Sequence, residues 1–236
     1  MKKTVAWTLL IGLAAGGILL AEQQVPGQKP LVVIADTFQF VPGSWARYNI
    51  LDKKKNETYV LLFSILEKEK KKDKIFSWVE IEVLMKDQPR VVTRFLAEET
   101  PQGPGDIDSA IVQVQGYDPF TIPKKYLKPD KNADGVAQFK PAKIVKKLER
   151  KTVGPPGKRV QAWVVEAVTE DGQNIRAVVS EEILPIAVYD VESPEIRMTA
   201  DDWGLGAKTK VEGTPIPFWL WLLDQISTGM GGEKKK

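Results

Sequence analysis

The sequence predicts a mainly β protein of the α+β class, built on an antiparallel sheet. Four strand-like runs follow one another in the first half, at about residues 45–51, 57–66, 75–85 and 90–97. A second β-rich half covers residues 142 to about 211 and is centred on a hairpin that turns at Asp171-Gly172. Residues 106–115, between these halves, are compatible with a helix or with another strand. Successive strand runs separated by turn residues indicate a meander.

The hairpin at Asp171-Gly172 predicts a register, because both residues tolerate the positive φ angles of a two-residue type I′ turn. Pairing outward from this turn gives three cross-strand pairs: Val168 with Ile175, Glu166 with Ala177, and Val164 with Val179. This register makes one face of the hairpin apolar apart from Glu166, and the other face mixed. Burial would raise the pKa of the Glu166 carboxyl. The alternatives are a position at the sheet rim or a pair with a lysine.

The second and third strand-like runs predict how the sheet is covered. Residues 75–85 alternate, with Val79 and Ile81 on one face and Glu80 on the other, together with Trp78. Residues 57–66 are apolar on both faces, so an element such as a helix is expected to lie across the sheet there. The eight charged residues 67–74 predict the solvated end of a hairpin, and the alternative is a docking loop for an acidic partner or lipid headgroups.

Residues 1–21 resemble a secretory signal peptide. Lys2 and Lys3 precede the apolar run Val5–Leu20, and Ala21 precedes Glu22. Cleavage after Ala21 predicts a periplasmic or extracellular protein, whereas the alternative is an uncleaved anchor helix of a length at the short end for a membrane span. The remaining chain divides into three predicted parts: a lead-in segment at 22–37, the β domain at 38–214, and an aromatic C-terminal segment with a basic tail at 215–236.

The composition excludes many function classes. The chain has no cysteine and no histidine, which removes Cys/His zinc sites, histidine-dependent catalytic triads and a histidine pH switch. Loss of residues 1–21 would leave 32 basic against 31 acidic residues. This balance gives no support for nucleic-acid binding, which depends on clustered positive charge. We therefore expect a protein without enzymatic activity.

Residues 130–135 match the opening of a calcium-binding loop. Asp130, Asn132 and Asp134 supply oxygen ligands at positions one, three and five, and Gly135 provides the tight bend. Position twelve is Pro141, where a bidentate glutamate is needed. The pattern therefore predicts only a weak Ca²⁺ site, and the alternative is a turn rich in Asp, Asn and Gly.

Three segments resemble the outer-membrane lipoprotein carriers, a group of exported bacterial proteins with a LolA-like half-barrel. They are the run into the first long strand, a Pro-Gly turn into a strand, and a strand with a Pro-containing edge: residues 40–48, 152–162 and 178–190. The resemblance implies a strongly curved antiparallel sheet, or half-barrel, with a few covering helices or loops over an apolar concave face that can hold acyl chains. No ligand-contacting residue of the carriers is matched to a position in this chain.

The leading functional hypothesis is a non-enzymatic periplasmic protein that binds an apolar ligand, either a lipid or a lipoprotein acyl chain, inside the half-barrel. Its predicted lining is aromatic and aliphatic, as such ligands require, and includes Tyr59, Phe63, Trp78 and Val164. An acid-based hydrolase that uses Glu166 and Asp202 is a third hypothesis.

The second hypothesis is a structural or assembly subunit of a cell-envelope complex, with an edge strand or residues 218–223 as its contact. The C-terminal segment contains Phe218, Trp219 and Trp221, followed by a basic tail. Such a segment predicts an element that closes the mouth of the barrel or packs on the sheet. The alternative is an aromatic helix that contacts a membrane surface through Phe218, Trp219 and Trp221.

Overall fold

The computed structural model describes residues 31–34, 37–127, 139–169 and 172–230. Within these ranges thirteen strands form one sheet. The strands of the first half are β1 Leu31–Ile34, β2 Trp45–Asp52, β3 Glu57–Lys71, β4 Lys74–Met85, β5 Val91–Thr100, β6 Gly103–Val114 and β7 Phe120–Ile122. Those of the second half are β8 Phe139–Val153, β9 Val160–Thr169, β10 Asn174–Val179, β11 Val188–Glu192, β12 Ile196–Gly204 and β13 Ile216–Pro217. A 3₁₀ turn, Lys124–Tyr126, follows β7, and a helix, α1, spans Phe218–Met230.

The strands form two antiparallel meanders that share one sheet. Strands β2 to β7 make the first meander and β8 to β12 the second, and β12 pairs with β2 to join them. Strand β1 pairs in parallel with β8, and β13 pairs in parallel with β7. The sheet is curved and does not close, which confirms the predicted mainly β half-barrel fold class. The predicted signal peptide, residues 1–21, lies outside the described residues, and β1 lies within the predicted lead-in.

The first meander confirms the four predicted strands, and residues 106–115 are now assigned to strand β6 and the turn after it. Strands β3 and β4 are longer than the apolar runs, because the charged residues 67–71 continue the ladder up to the pair Lys71–Lys74. The side chain of Lys71 is bound to Asp108, and that of Lys74 to Glu98. The charged stretch is therefore the exposed end of a hairpin, held by ion pairs to the neighbouring strands.

One face of the sheet, called the inner face, carries the core. On β2 to β4 it presents Tyr48, Phe63 and Val79, all fully buried. The inner-face positions alternate with residues of the opposite, outer face, as the pleat requires. Ile183 and Ile186, which follow β10, are also fully buried and belong to the same apolar cluster. The hydrophobic effect of burying this continuous cluster is what holds the two meanders together.

An extended segment at residues 205–215, called the strap, crosses the outer face of the first meander. The amide of Ala207 donates to the carbonyl of Gly43 at 2.8 Å, and the amide of Lys210 donates to the Glu80 carboxylate at 2.7 Å. Further along, the amide of Glu212 donates to the side chain of Gln113 at 2.8 Å. The sequence predicts a covering element such as a helix over residues 57–66, whereas the strap is an extended segment with hydrogen bonds to Gly43, β4 and β6.

The predicted register of the β9–β10 hairpin is wrong by one residue. Val168 pairs with Asn174, and Val164 pairs with Val178. The loop is longer than predicted: the amide of Thr169 donates to the carbonyl of Gln173, and Gly172 has a φ of +81°. A three-residue loop with glycine in the left-handed region is the next common hairpin type after the two-residue turns. A slip of one residue exchanges the faces of a strand.

This correction moves Glu166 out of the predicted apolar face. Glu166 pairs with Arg176, and both residues are exposed. The inner face of the hairpin instead carries Val165 and Ala177, which form a pair and are fully buried or nearly so. The sequence interpretation of Glu166 as a buried acid is therefore wrong, and its cross-strand neighbours are the basic residues Arg176 and Lys146.

The turn between β8 and β9 depends on Gly154. Its φ is +113°, and a Cβ atom there would lie 2.2 Å from the carbonyl oxygen of Lys158. Gly157 in the same turn has a φ of +85°, but nothing lies within 4 Å of the corresponding Cβ position. Both glycines have a positive φ angle, but only Gly154 is also packed against neighbouring backbone atoms.

We expect Gly154→Ala to lower the free energy of unfolding by about 1–3 kcal/mol, because the variant adds a steric contact to backbone strain. Gly157→Ala is the matched control and is expected to cost no more than about 1 kcal/mol, since it introduces strain alone. Urea denaturation of the two variants measures the difference. Equal losses would show that the contact with Lys158 does not matter.

Candidate functional site

Two of the predicted ligand-binding residues lie on the inner face. The ring of Phe63 is fully buried and makes an edge-to-face contact with Phe38, with the ring centroids 5.8 Å apart. Tyr59, two residues earlier on β3, is half-buried and packs against the same core. Burial, followed by the negative charge of Asp52, raises the pKa of Tyr59 to about 12. Phe63 is thus a core residue covered by protein, and Tyr59 is at the margin of the core.

Trp78 lies on the outer face and not with Phe63. Its indole N–H donates to Glu69 at 2.6 Å, and the guanidinium of Arg94 lies 4.4 Å from its ring centroid. Arg94 also forms an ion pair with Glu67 at 2.6 Å. The polar and cationic contacts of Trp78 make this part of the outer face a charged network and not an apolar lining.

Val164 also differs from its predicted place. The register runs from Tyr59 through Ile50, Met198 and Val191 to Ala177 and Val165, and cross-strand partners share a face. Val165 is therefore on the inner face, and its neighbour Val164 is on the outer face, where it is nearly fully buried. The four predicted lining residues do not form one surface.

The predicted carboxylate pair for hydrolysis is far apart. Glu166 is on β9 and Asp202 on β12, which are separated by two strands. Three strand spacings and the offset along the strands place the two Cα atoms on the order of 20 Å apart. Catalytic carboxylates of glycosidases lie within about 10 Å of each other. A hydrogen bond from Lys158, opposed by desolvation, holds the pKa of Asp202 below its usual value, which also makes it a poor proton donor.

No calcium site can be assessed at the predicted position. Asp130, Asn132 and Asp134 lie outside the described residues. Among the residues that the structure describes, no group of three or more Asp or Glu side chains is arranged to hold a metal ion. The weak Ca²⁺ site stays a prediction from the sequence.

The C-terminal helix α1 presents the clearest candidate surface. Strand β13 places its start, because Ile216 pairs with Phe120 and its amide donates to the carbonyl of Pro119 at 2.9 Å. Phe218 and Trp221, three positions apart, share one side of the helix. The ring of Trp221 stacks on Phe120 with centroids 4.3 Å apart, and Phe218 lies 5.8 Å from the same ring. This aromatic contact fixes one side of α1 to the edge of the sheet.

Four apolar side chains of α1 are exposed. We call this group the α1 surface, and it consists of Trp219, Leu220, Leu222 and Leu223, with exposed fractions of 59%, 41%, 39% and 56%. Four of the ten exposed large apolar side chains among the described residues thus lie within five consecutive positions. Contiguous exposed apolar patches commonly mark interaction sites, so the α1 surface is a candidate contact surface.

The two tryptophans of α1 differ in exposure. Trp221 is only 7% exposed, whereas Trp219 is 59% exposed. Within the described ranges no helix has the length and apolar content that a membrane crossing requires. Because α1 has thirteen residues, its length is about 20 Å against about 30 Å for the hydrocarbon core of a bilayer.

The sequence analysis assigned no special role to Glu80, which is the most deeply buried carboxylate among the described residues. It is 2% exposed and accepts hydrogen bonds from the Thr209 hydroxyl at 2.6 Å and from the Lys210 amide. Desolvation raises the pKa of Glu80, and the two hydrogen bonds oppose this effect. Glu80 is buried because the strap covers it. The alternation of side chains along β4 alone predicts that Glu80 faces solvent.

Comparison of the sequence with models of known protein families and with curated proteins finds no match.

Proposed function

We propose that this protein is a non-enzymatic envelope protein that attaches to an anionic membrane surface through the α1 surface. The observation that carries the proposal is the cluster of Trp219, Leu220, Leu222 and Leu223, exposed on a helix that Phe218 and Trp221 fix to the sheet. The partner class, a lipid, is the one that the sequence predicts. The proposed contact is on α1 and not on the inner face, where Phe63 is covered by protein.

The dimensions of α1 support a position in the plane of the membrane interface. A helix of about 20 Å cannot cross the hydrocarbon core, but its apolar side can enter the boundary between headgroups and acyl chains by about 5–10 Å. Tryptophan is enriched at this depth because its ring is apolar and its N–H is polar. Trp219 is the residue that would occupy it.

Basic residues that flank α1 in the sequence favour an anionic surface. Lys208 and Lys210 on the strap are exposed and lie just before α1, and residues 234–236 are all lysine. Each basic residue near an anionic membrane surface contributes about 1 kcal/mol of attraction. Glu212 and Asp224 reduce this attraction locally, so the apolar contact supplies most of the proposed affinity.

The test is co-sedimentation of the full-length protein with vesicles that contain phosphatidylglycerol. We expect Trp219→Ser combined with Leu223→Ser to weaken vesicle binding at least tenfold, since each side chain contributes about 1.5–3 kcal/mol when fully buried. Both residues are exposed in the structure, so the variant should keep the thermal stability of the original chain.

The matched control is Val145→Ser combined with Leu205→Ser, which removes two exposed apolar side chains elsewhere, 60% and 67% exposed. This variant should bind vesicles as the original chain does. Equal losses of vesicle binding in both double variants, or unchanged vesicle binding in both, would contradict the proposal. Absence of vesicle binding together with α1-dependent capture of an envelope protein would favour the assembly-subunit hypothesis instead.

A further inference from the structure

A cavity of about 340 Å³ opens on the inner face of the second meander. Strand β8 forms one wall and the segment that follows β10 forms a second, with β9 between them. Ile144, Trp163 and Val179 give it an apolar base. Its volume lies at the lower end of the range for ligand pockets, which is about 300–1,000 Å³. The predicted ligand-binding residues Tyr59, Phe63, Trp78 and Val164 are not part of its lining.

The first wall of the cavity is cationic because of an irregularity in β8. Lys147 pairs with Val165, and Arg150 pairs with Trp163, so the register shifts between the two basic residues. Residues three apart on a regular strand point to opposite faces. The shift brings both side chains to the inner face, and irregularities of this kind re-aim side chains near functional sites.

Both cations are held against the same aromatic ring. The guanidinium of Arg150 lies 4.5 Å from the ring centroid of Trp163, and the ammonium of Lys147 lies 5.6 Å from it. Among the described residues neither cation has a carboxylate within ion-pair distance. Stacking on the ring fixes the plane of the Arg150 guanidinium and leaves its N–H donors free for a carboxylate, which they match in geometry.

The second wall is acidic and belongs to the segment after β10. Glu181 and Glu182 line the cavity, and within the described part of the chain neither carboxylate is paired with a cation. The segment itself is fixed: the Ser180 hydroxyl donates to the carbonyl of Gln161 at 2.7 Å, and the amide of Ala187 donates to the carbonyl of Ile183 at 2.7 Å. The two charged walls therefore keep their separation without pairing with each other.

We propose that this cavity binds a small zwitterion, namely a free amino acid or a short peptide with an apolar side chain. The ligand carboxylate would accept hydrogen bonds from Arg150 and Lys147, and its ammonium group would donate to Glu181 or Glu182. The apolar side chain would contact Ile144 and Val179. The two glutamates repel a simple anion, and the two basic residues repel a simple cation. Only a ligand that carries both charges is attracted by both walls.

The test is titration calorimetry of the full protein with the dipeptide alanyl-leucine. We expect binding of the dipeptide, and at least tenfold weaker binding of its N-acetyl derivative and of its C-terminal amide, since each lacks one charged hydrogen-bonding group. Arg150→Gln should weaken binding of the dipeptide at least tenfold. Arg150→Gln should have little effect on binding of the C-terminal amide, because the amide has no carboxylate that could accept hydrogen bonds from Arg150. Glu182→Gln should show the same selectivity toward the N-acetyl derivative.

Lys146→Gln is the matched control, because Lys146 is on the same strand but pairs with Glu166 on the outer face. It should bind the dipeptide as the original protein does. The proposal is overturned if the dipeptide gives no binding at millimolar concentration, if the blocked derivatives bind equally well, or if Lys146→Gln causes the same loss as Arg150→Gln. None of these outcomes bears on membrane attachment through α1.

Discussion

Phe63→Ala is expected to lower the free energy of unfolding by about 3–5 kcal/mol, the largest effect predicted for a single side chain in this protein. The ring is fully buried and contacts Phe38 at 5.8 Å between centroids. It also lies on β3, next to the pairing of β2 with β12 that joins the two meanders. Its removal loses transfer free energy and leaves a cavity that neighbouring strands are too constrained to fill. Urea denaturation measures the loss.

Tyr117→Ala is the control for this substitution, because Tyr117 is an aromatic residue that is 44% exposed. We expect a loss below about 1 kcal/mol for it. A loss for Phe63→Ala as small as that of Tyr117→Ala would mean that the inner face is loosely packed. That result would revive the hypothesis that the half-barrel holds an apolar ligand at Phe63.

Glu80→Ala is expected to release the strap from the outer face. The variant removes the acceptor for both the Lys210 amide and the Thr209 hydroxyl, and a hydrogen bond to a charged group contributes about 1.5–3 kcal/mol. Loss of two such bonds should increase hydrogen exchange of the Lys210 amide by about 100-fold or more. The amide of Ala207, which donates to Gly43, should change less.

The pH dependence of stability supplies an independent check on Glu80. Because burial raises its folded-state pKa above the ordinary value of 4.5, the folded protein binds this proton more tightly than the unfolded chain. The resulting stabilisation is complete below about pH 4.5 and is lost as the pH rises through the raised pKa. We expect Glu80→Gln to remove this part of the pH dependence. An unchanged profile would show that the carboxyl is not desolvated.

The strands of the first meander could be predicted because the alternation of side chains is strong along them. Val79 and Ile81 point inward as expected, and the charged hairpin end at residues 67–74 is solvated. The register of the β9–β10 hairpin could not be predicted reliably, because Asp171-Gly172 fits both a two-residue turn and a longer loop. The structure has the longer loop, with Thr169 bonded to Gln173.

The strap and the cavity both depend on contacts that no local pattern indicates. The strap has neither helical nor strand periodicity, yet it buries Glu80, whose hydrogen-bond partner Lys210 is 130 positions away. The cationic wall of the cavity needs a shift in β8 between Lys147 and Arg150, and irregularities of this type have no sequence signature here. The aromatic character of α1 was visible in the sequence, whereas the division between Trp221 inside and Trp219 outside was not.

The pairing of β2 with β12 also constrains the order in which the chain can fold. Asn49 and Asp201 are joined by a hydrogen bond of 3.0 Å although 152 positions separate them. Contacts of such long sequence separation form late, because closing a long loop costs entropy before any contact is gained. Until β12, which ends at Gly204, has formed, β2 is therefore an edge strand of the first meander. The backbone donors and acceptors on its open edge then face water. The last strand of the second meander thus completes the pairing of the first strand of the first meander.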